Sequence, residues 1–159
     1  MSSQLELFWQ AYLASLPETT PHPTDYEAWS FGHTQEVANQ LGDLAKAGIK
    51  TATSSLVWCY EAENEILPQV GALSIILDGD QNPLCIIETT QVEIKAFNQV
   101  DGQFAYDEGE GDRSLAYWRQ VHWQAFSAEC ADIRRIPSED MPVVCERFRV
   151  IFSPHQGQQ

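Results

Sequence analysis

The stretch Gly48-Ile49-Lys50-Thr51-Ala52-Thr53-Ser54-Ser55 sets one ammonium among four hydroxyl side chains. An amine in that company can rest against an anion or a carbonyl oxygen, and one whose pKa falls on desolvation can take a proton from a hydroxyl or from water. A second polar stretch, Phe104 to Asp112, gathers Asp107, Glu108, Glu110 and Asp112 around Gly109 and Gly111. Carboxyls crowded together beside apolar walls hold protons more readily, so one of these suits an acid near neutral pH. Left alone, the first stretch is a solvated turn and the second a solvated loop. Arg147 and Arg149 fall on one face of a final strand, where they either line the same site or form the solvent side of an edge strand.

The elements that must position these groups are legible as hydrophobic periodicity. From Thr34 to Ala47, Val37, Leu41 and Leu44 make one apolar stripe, with Thr34 as N-cap, Glu36 in the first turn, and Lys46 and Gly48 at the end. The helix therefore hands Lys50 to the chain just beyond its stop. Leu56 to Tyr60 is a β-prone run. Ala72 to Leu77 and Leu84 to Ile94 read as strands joined by the turn cluster Asp78-Gly79-Asp80-Gln81-Asn82-Pro83, which lacks the ligand spacing of a calcium loop. Leu5 to Leu16 is a helix with an aromatic face, followed by a proline-rich connector. Leu115 to Ala128 is a second amphipathic helix capped by Asp112 or Ser114, and it carries His122 on its core stripe. Val143 to Phe152 is the last strand, and Ser153 to Gln159 a polar tail.

Composition bounds the class. A chain of 159 residues, 43% hydrophobic, supports one domain with a real core. A net charge of −14 argues against extensive non-specific nucleic-acid binding, which depends on Lys and Arg neutralising phosphates, while leaving room for a small ligand or a short RNA held at one basic spot. The four cysteines form no CxxC pair and sit mostly among apolar neighbours, as buried thiols do, and the four histidines show no ligand spacing. No metal and no cofactor is expected. No apolar run suits a signal or a membrane span, so the expected compartment is the cytoplasm.

Several motifs together resemble one family. Gly48-x-Lys50-x-x-Thr53 followed by Ser54, and the turn Pro68-x-Val70-Gly71 before an apolar strand, are similar to the ASCH domain, a relative of the PUA domains of RNA-modifying proteins. Trp29-Ser30-Phe31-Gly32, Asp78-Gly79-Asp80 with Pro83-Leu84-Cys85, Ile87-Glu88-Thr89-Thr90, and Phe104-Ala105-Tyr106 through Trp118-Arg119 resemble a mostly uncharacterised bacterial branch of that family. The resemblance implies an α+β fold, a PUA-like, mostly antiparallel β-barrel decorated with helices, over residues 29–152. Residues 1–28 would be a helix and connector packed on it, and 153–159 a tail. It also implies a cleft around the GxKxxT motif that binds a nucleotide, modified nucleoside or short RNA element. The binding set would be Trp29, Phe31, Gly48, Lys50, Thr51, Thr53, Ser54, Ser55, Glu110, Arg147 and Arg149, with an aromatic ring stacking on a base. Some relatives instead hydrolyse the amide of N4-acetylcytidine or cut RNA, which would make Lys50, Thr53 and Glu108 catalytic. The chain departs from that branch at Ser55, where the amidohydrolases carry a basic residue. The two acids separated by one glycine leave Glu108 and Glu110 as alternatives.

Overall fold

The computed structural model describes residues 3–154. The tail expected from Ser153 onward therefore lies largely outside the described residues. The elements run α1 (Gln4–Ser15), β1 (Glu27–Trp29), α2 (Gln35–Lys46), β2 (Ala52–Leu56), α3 (Val57–Ala62), β3 (Leu73–Leu77), β4 (Pro83–Ala96), a 3-10 turn (Phe97–Gln99), α4 (Gly102–Glu108), α5 (Leu115–Asp132) and β5 (Pro142–Phe152). The chain is α+β, with strands ordered β1-β3-β4-β5-β2. β1 pairs with β3 in parallel, while β3–β4 and β2–β5 are antiparallel. β1 and β2 stand at the two ends of this order, and the mixed sheet is the half-barrel of the PUA-like α+β fold that the resemblance implies.

By its contacts the chain divides into two compact units. The first comprises the chain up to Gly48, Ala72–Glu88 and the residues from Arg149. Its core is aromatic and aliphatic: Trp9 and Tyr12 of α1 join Ile75, Leu77 and Ile86, with Phe8 and Tyr12 each meeting Phe152 edge-on. In α2 the Thr34 hydroxyl accepts from the Val37 amide, so the helix starts where its sequence signals it. Gly48 closes the segment at φ 80°, a left-handed conformation that glycine adopts without penalty.

The second unit comprises Ile49–Gly71 and Thr89–Phe148. Its core joins Ala52 and Leu56 of β2, Phe104 and Ala105 of α4, Trp118, Phe126 and Cys130 of α5, and Val143 and Cys145 of β5. Two expectations change here. The run after Leu56 turns into helix α3 instead of continuing as a strand, and its side chains pack on groups distant in the chain: Arg135, just beyond α5, lies over the Trp58 ring at 4.5 Å, and the Cys59 thiol reaches Glu129 on α5 at 3.4 Å. β propensity is a weak prior that such packing overrides. The acidic segment is likewise no loop at its start. Asp101 caps the Phe104 amide at 2.9 Å, and Gly102–Glu108 forms α4, which buries Phe104, Ala105 and Glu108.

Candidate functional site around Lys50

The site lies wholly within the second unit and begins with strand parity. On β2, Ala52, Ser54 and Leu56 face the core, so the Lys50 side chain, two residues earlier, is aimed the same way. α4 ends directly over this face. Gly109 terminates the helix at φ 74°, and a Cβ there would stand 2.8 Å from the Ile49 carbonyl oxygen, so only glycine lets the chain pass this close. Beyond it, the Thr51 amide donates to the Asp107 carbonyl at 2.8 Å, which ties the two segments together.

Lys50 is 1% exposed, and its ammonium donates to Glu110 Oε2 at 2.6 Å, Ala52 O at 2.9 Å, Glu108 Oε1 at 3.1 Å and, at 3.4 Å, Glu108 O. Glu108, also 1% exposed, accepts on its other oxygen from the Ser54 hydroxyl at 2.6 Å and the Trp118 indole at 2.7 Å. Trp118 stacks on His122 with centroids 4.3 Å apart. His122 Nδ1 lies 2.9 Å from the Trp118 carbonyl, and its Nε2 lies 3.6 Å from Glu108 Oε2. One ammonium, two carboxyls, a hydroxyl, an indole and an imidazole thus converge.

Their electrostatics split the two acids. Burial is the largest single influence on Lys50 and pushes its pKa down, but the charges and hydrogen bonds of Glu108 and Glu110 together outweigh it, and the net shift is upward. The expectation that desolvation would free this amine as a base therefore fails: two carboxyls beside it favour the ammonium. Burial would raise Glu108, yet Lys50, His122 and the Ser54 and Trp118 hydrogen bonds hold it down at about 2. Glu110 moves the other way. Burial and the charge of Glu108 raise it despite the pull of Lys50. Glu108 is the ionised member of the pair and Glu110 the one inclined to keep its proton.

The remaining expected residues fall as follows. Thr53 lies on the opposite face of β2 from Ser54, in register with Glu146, and its hydroxyl makes no hydrogen bond among the described residues. The Thr51 hydroxyl reaches the Asp107 carbonyl at 3.3 Å, and Ser55 meets the Tyr60 hydroxyl at 3.0 Å. Arg147 pairs with Asp107 and lies over the Phe104 ring at 5.3 Å, one turn of α4 from Glu108. Trp29, Phe31, Gly48 and Arg149 belong to the first unit. There Trp29 and Phe31 pack edge-to-face at 5.0 Å, Phe31 is buried, and Arg149 pairs with Glu88 near the surface at 2.7 Å. Sequence reasoning placed Trp118 and His122 on a core stripe. The signal that could have drawn them out is their four-residue spacing on a helix that also has to face α4.

Glu108, Glu110 and His122 also offer three ligand atoms within 4.8 Å of one another, the donor set of a divalent metal. The Lys50 ammonium already supplies a cation to both carboxyls, and both Glu108 oxygens already accept hydrogen bonds, so these residues do not fit a metal as they stand.

Comparisons with known proteins agree with this architecture. The family model of the ASCH domain matches residues 27–152. The crystal structure of an ASCH domain from Lactobacillus crispatus JV V101 is similar at a TM-score of 0.89 and 37% identity, covering 96% of each chain. Protein EF3133 from Enterococcus faecalis V583 is similar at a TM-score of 0.83 and 39% identity, covering 94% of this chain and 89% of that one. No curated protein matches. Among the described residues no helix is long and apolar enough to cross a membrane. Sequence motifs, fold and family model point the same way, and the chain belongs to the ASCH-domain family.

Proposed function

We propose that this ASCH-domain protein binds a nucleotide, a modified nucleoside or a short RNA element at the cluster centred on Lys50. The observation that carries this reading is the convergence of Lys50, Ser54, Glu108, Glu110, Trp118 and His122, in which two neighbouring carboxyls hold opposite protonation preferences. Strongly perturbed groups of this kind gather where a protein handles a ligand. Arg147, partly exposed at the same end of α4, adds a cation able to meet one phosphate, while the net charge of −14 keeps longer polyanions away.

The split between Glu108 and Glu110 also favours a second reading, hydrolysis of a nucleoside amide or of RNA, since a pair of carboxyls pushed apart in pKa separates an acid from an ionised partner. In that reading water attacks the scissile carbon or phosphorus, Glu110 gives its proton to the departing group, and the proton that the water releases returns to Glu110. Lys50 remains an ammonium that steadies negative charge and Glu108 anchors it, while Thr53, on the opposite face of β2, takes no part in this step.

The test is ligand-induced thermal stabilisation by cytidine, N4-acetylcytidine, cytidine monophosphate and a short single-stranded RNA, with product followed by chromatography. Wild type is compared with Glu110→Ala and with the charge-preserving Lys50→Arg. Stabilisation or turnover that falls in both variants while their far-UV spectra stay native is the expected result. Wild type indifferent to every one of these ligands would overturn the proposal.

A further inference from the structure

Glu108 and Glu110 are carried differently. Glu108 belongs to α4, whereas Glu110 stands on a loop between Gly109 at φ 74° and Gly111 at φ 59°, a stretch of backbone with little stiffness of its own. Holding a side chain still on such a stretch costs conformational entropy. Glu110 Oε2 nevertheless lies 2.6 Å from the Lys50 ammonium, so something beyond the two glycines keeps the loop in place.

One residue grips it at both ends. The Arg113 amide donates to the Glu110 carbonyl at 2.9 Å and closes the loop into a turn. The Arg113 side chain runs back to α4, where Nε donates to the Tyr106 carbonyl at 3.0 Å and the guanidinium lies 3.7 Å from the centre of the Tyr106 ring. Beyond it α5 begins at once: the Asp112 carboxyl accepts from the Ser114 amide at 2.9 Å, and the Tyr117 ring fills the space that a Cβ on Gly111 would need. To make both of its contacts Arg113 adopts φ 65°, a left-handed conformation that glycine takes without penalty and a residue with a Cβ does not. Glycine would suit that backbone better, so the reason for an arginine lies in its side chain.

We propose that Arg113 is a positioning residue: it latches the loop onto the last turn of α4 so that the Glu110 carboxyl stays against Lys50, and without the latch that acid leaves the cluster. Among the described residues the Arg113 side chain bonds neither Lys50 nor the Glu110 carboxyl, so it acts through the loop alone. A residue that merely fastened α4 to α5 would affect the melting temperature and nothing at Lys50. The inference deepens the function proposed above and rests on that reading only for its ligand readout, because the bond between Lys50 and Glu110 can be followed without any ligand.

Hydrogen exchange of the Lys50 ammonium, followed by nitrogen NMR on the full chain well below each variant's Tm, tests it. The ammonium is 1% exposed, and its signal is assigned by its loss in Lys50→Arg. Glu110→Ala sets the scale for an ammonium without that acid, with exchange expected to be about tenfold faster than in wild type. Arg113→Gly removes the side chain while easing the backbone, and should raise exchange by about the same tenfold factor. Arg113→Lys keeps a positive charge beside the Tyr106 ring but loses the Nε donor, so about threefold is expected. In a Glu110→Ala background, Arg113→Gly should change exchange no further, since the latch then has nothing to hold. The ligand response described above should also fall in Arg113→Gly. Wild-type exchange in Arg113→Gly, or effects of Glu110→Ala and Arg113→Gly that simply add, would overturn this inference and leave the proposed function standing. A wild type indifferent to every ligand would overturn that function and leave the exchange result to decide this inference.

Discussion

Two ion pairs at opposite ends of the exposure scale show what each unit does with charge. In the first unit Arg149 meets Glu88 at 2.7 Å with side chains 67% and 29% exposed, beside a core that is otherwise aromatic and aliphatic. In the second, Lys50 meets Glu108 at 3.1 Å with both side chains 1% exposed. The distances are alike, but the surroundings are not. Water and salt screen the first pair, which is worth roughly 0–1 kcal/mol. The second has given up its hydration, and only full engagement of every donor and acceptor makes that tolerable. A fold that keeps such a cluster where apolar side chains of similar volume would pack invites a functional explanation.

The sharpest way to break this comparison is Lys50→Met, which leaves Glu108 and Glu110 buried without their cation. A loss of about 3–5 kcal/mol in denaturant-unfolding free energy is expected. A loss below about 1 kcal/mol would make the buried pair no different from the exposed one. Gly109→Ala comes next. It forces a side chain into a left-handed backbone 2.8 Å from the Ile49 carbonyl oxygen, so a loss of about 1–3 kcal/mol is expected in the same measurement.

The two acids should separate in a pH series. Glu108 has a depressed pKa, so its contribution is present above the ordinary value of 4.5 and is lost as the pH falls from there towards about 2. Glu110 has a raised pKa, so the folded chain binds more protons and loses stability as the pH climbs from 4.5 through the raised value. Glu110→Gln cannot titrate, and its Tm should gain on wild type across that upper window. Parallel Tm curves would remove the distinction between the acids. Lys50, with its pKa raised above 10.5, contributes fully below that value and loses its contribution only as the pH rises through the folded one. The smallest effect belongs to the surface: Arg149→Ala should cost no more than about 1 kcal/mol, and adding salt should shrink even that.

Much of the frame was legible before any coordinates. The Thr34 cap, the stop at Gly48, the hairpin around Asp78 to Pro83 and the pairing of Lys50 with the acids near Gly109 all announce themselves through local turn chemistry or family motifs. What stayed hidden depends on long-range contact. Val57 to Tyr60 is β-prone and becomes helical, and the groups that meet it there, Arg135 and Glu129, come from positions distant in the chain. The direction of the Lys50 shift could not be read from composition, since burial alone predicts the opposite sign and only the 2.6 Å and 3.1 Å contacts reverse it. His122 looked like packing because its neighbour Trp118 is packing; that the same indole also holds Glu108 is visible only in three dimensions.

That indole gives the molecule a built-in optical reporter. Its N–H points at the ionised acid and its face lies on the imidazole, so its emission is expected to shift with proton movement among these groups and with any molecule that settles against them. Subtracting the fluorescence of a Trp118→Phe variant from that of the wild type would isolate this signal from the other four tryptophans and follow occupancy without a label.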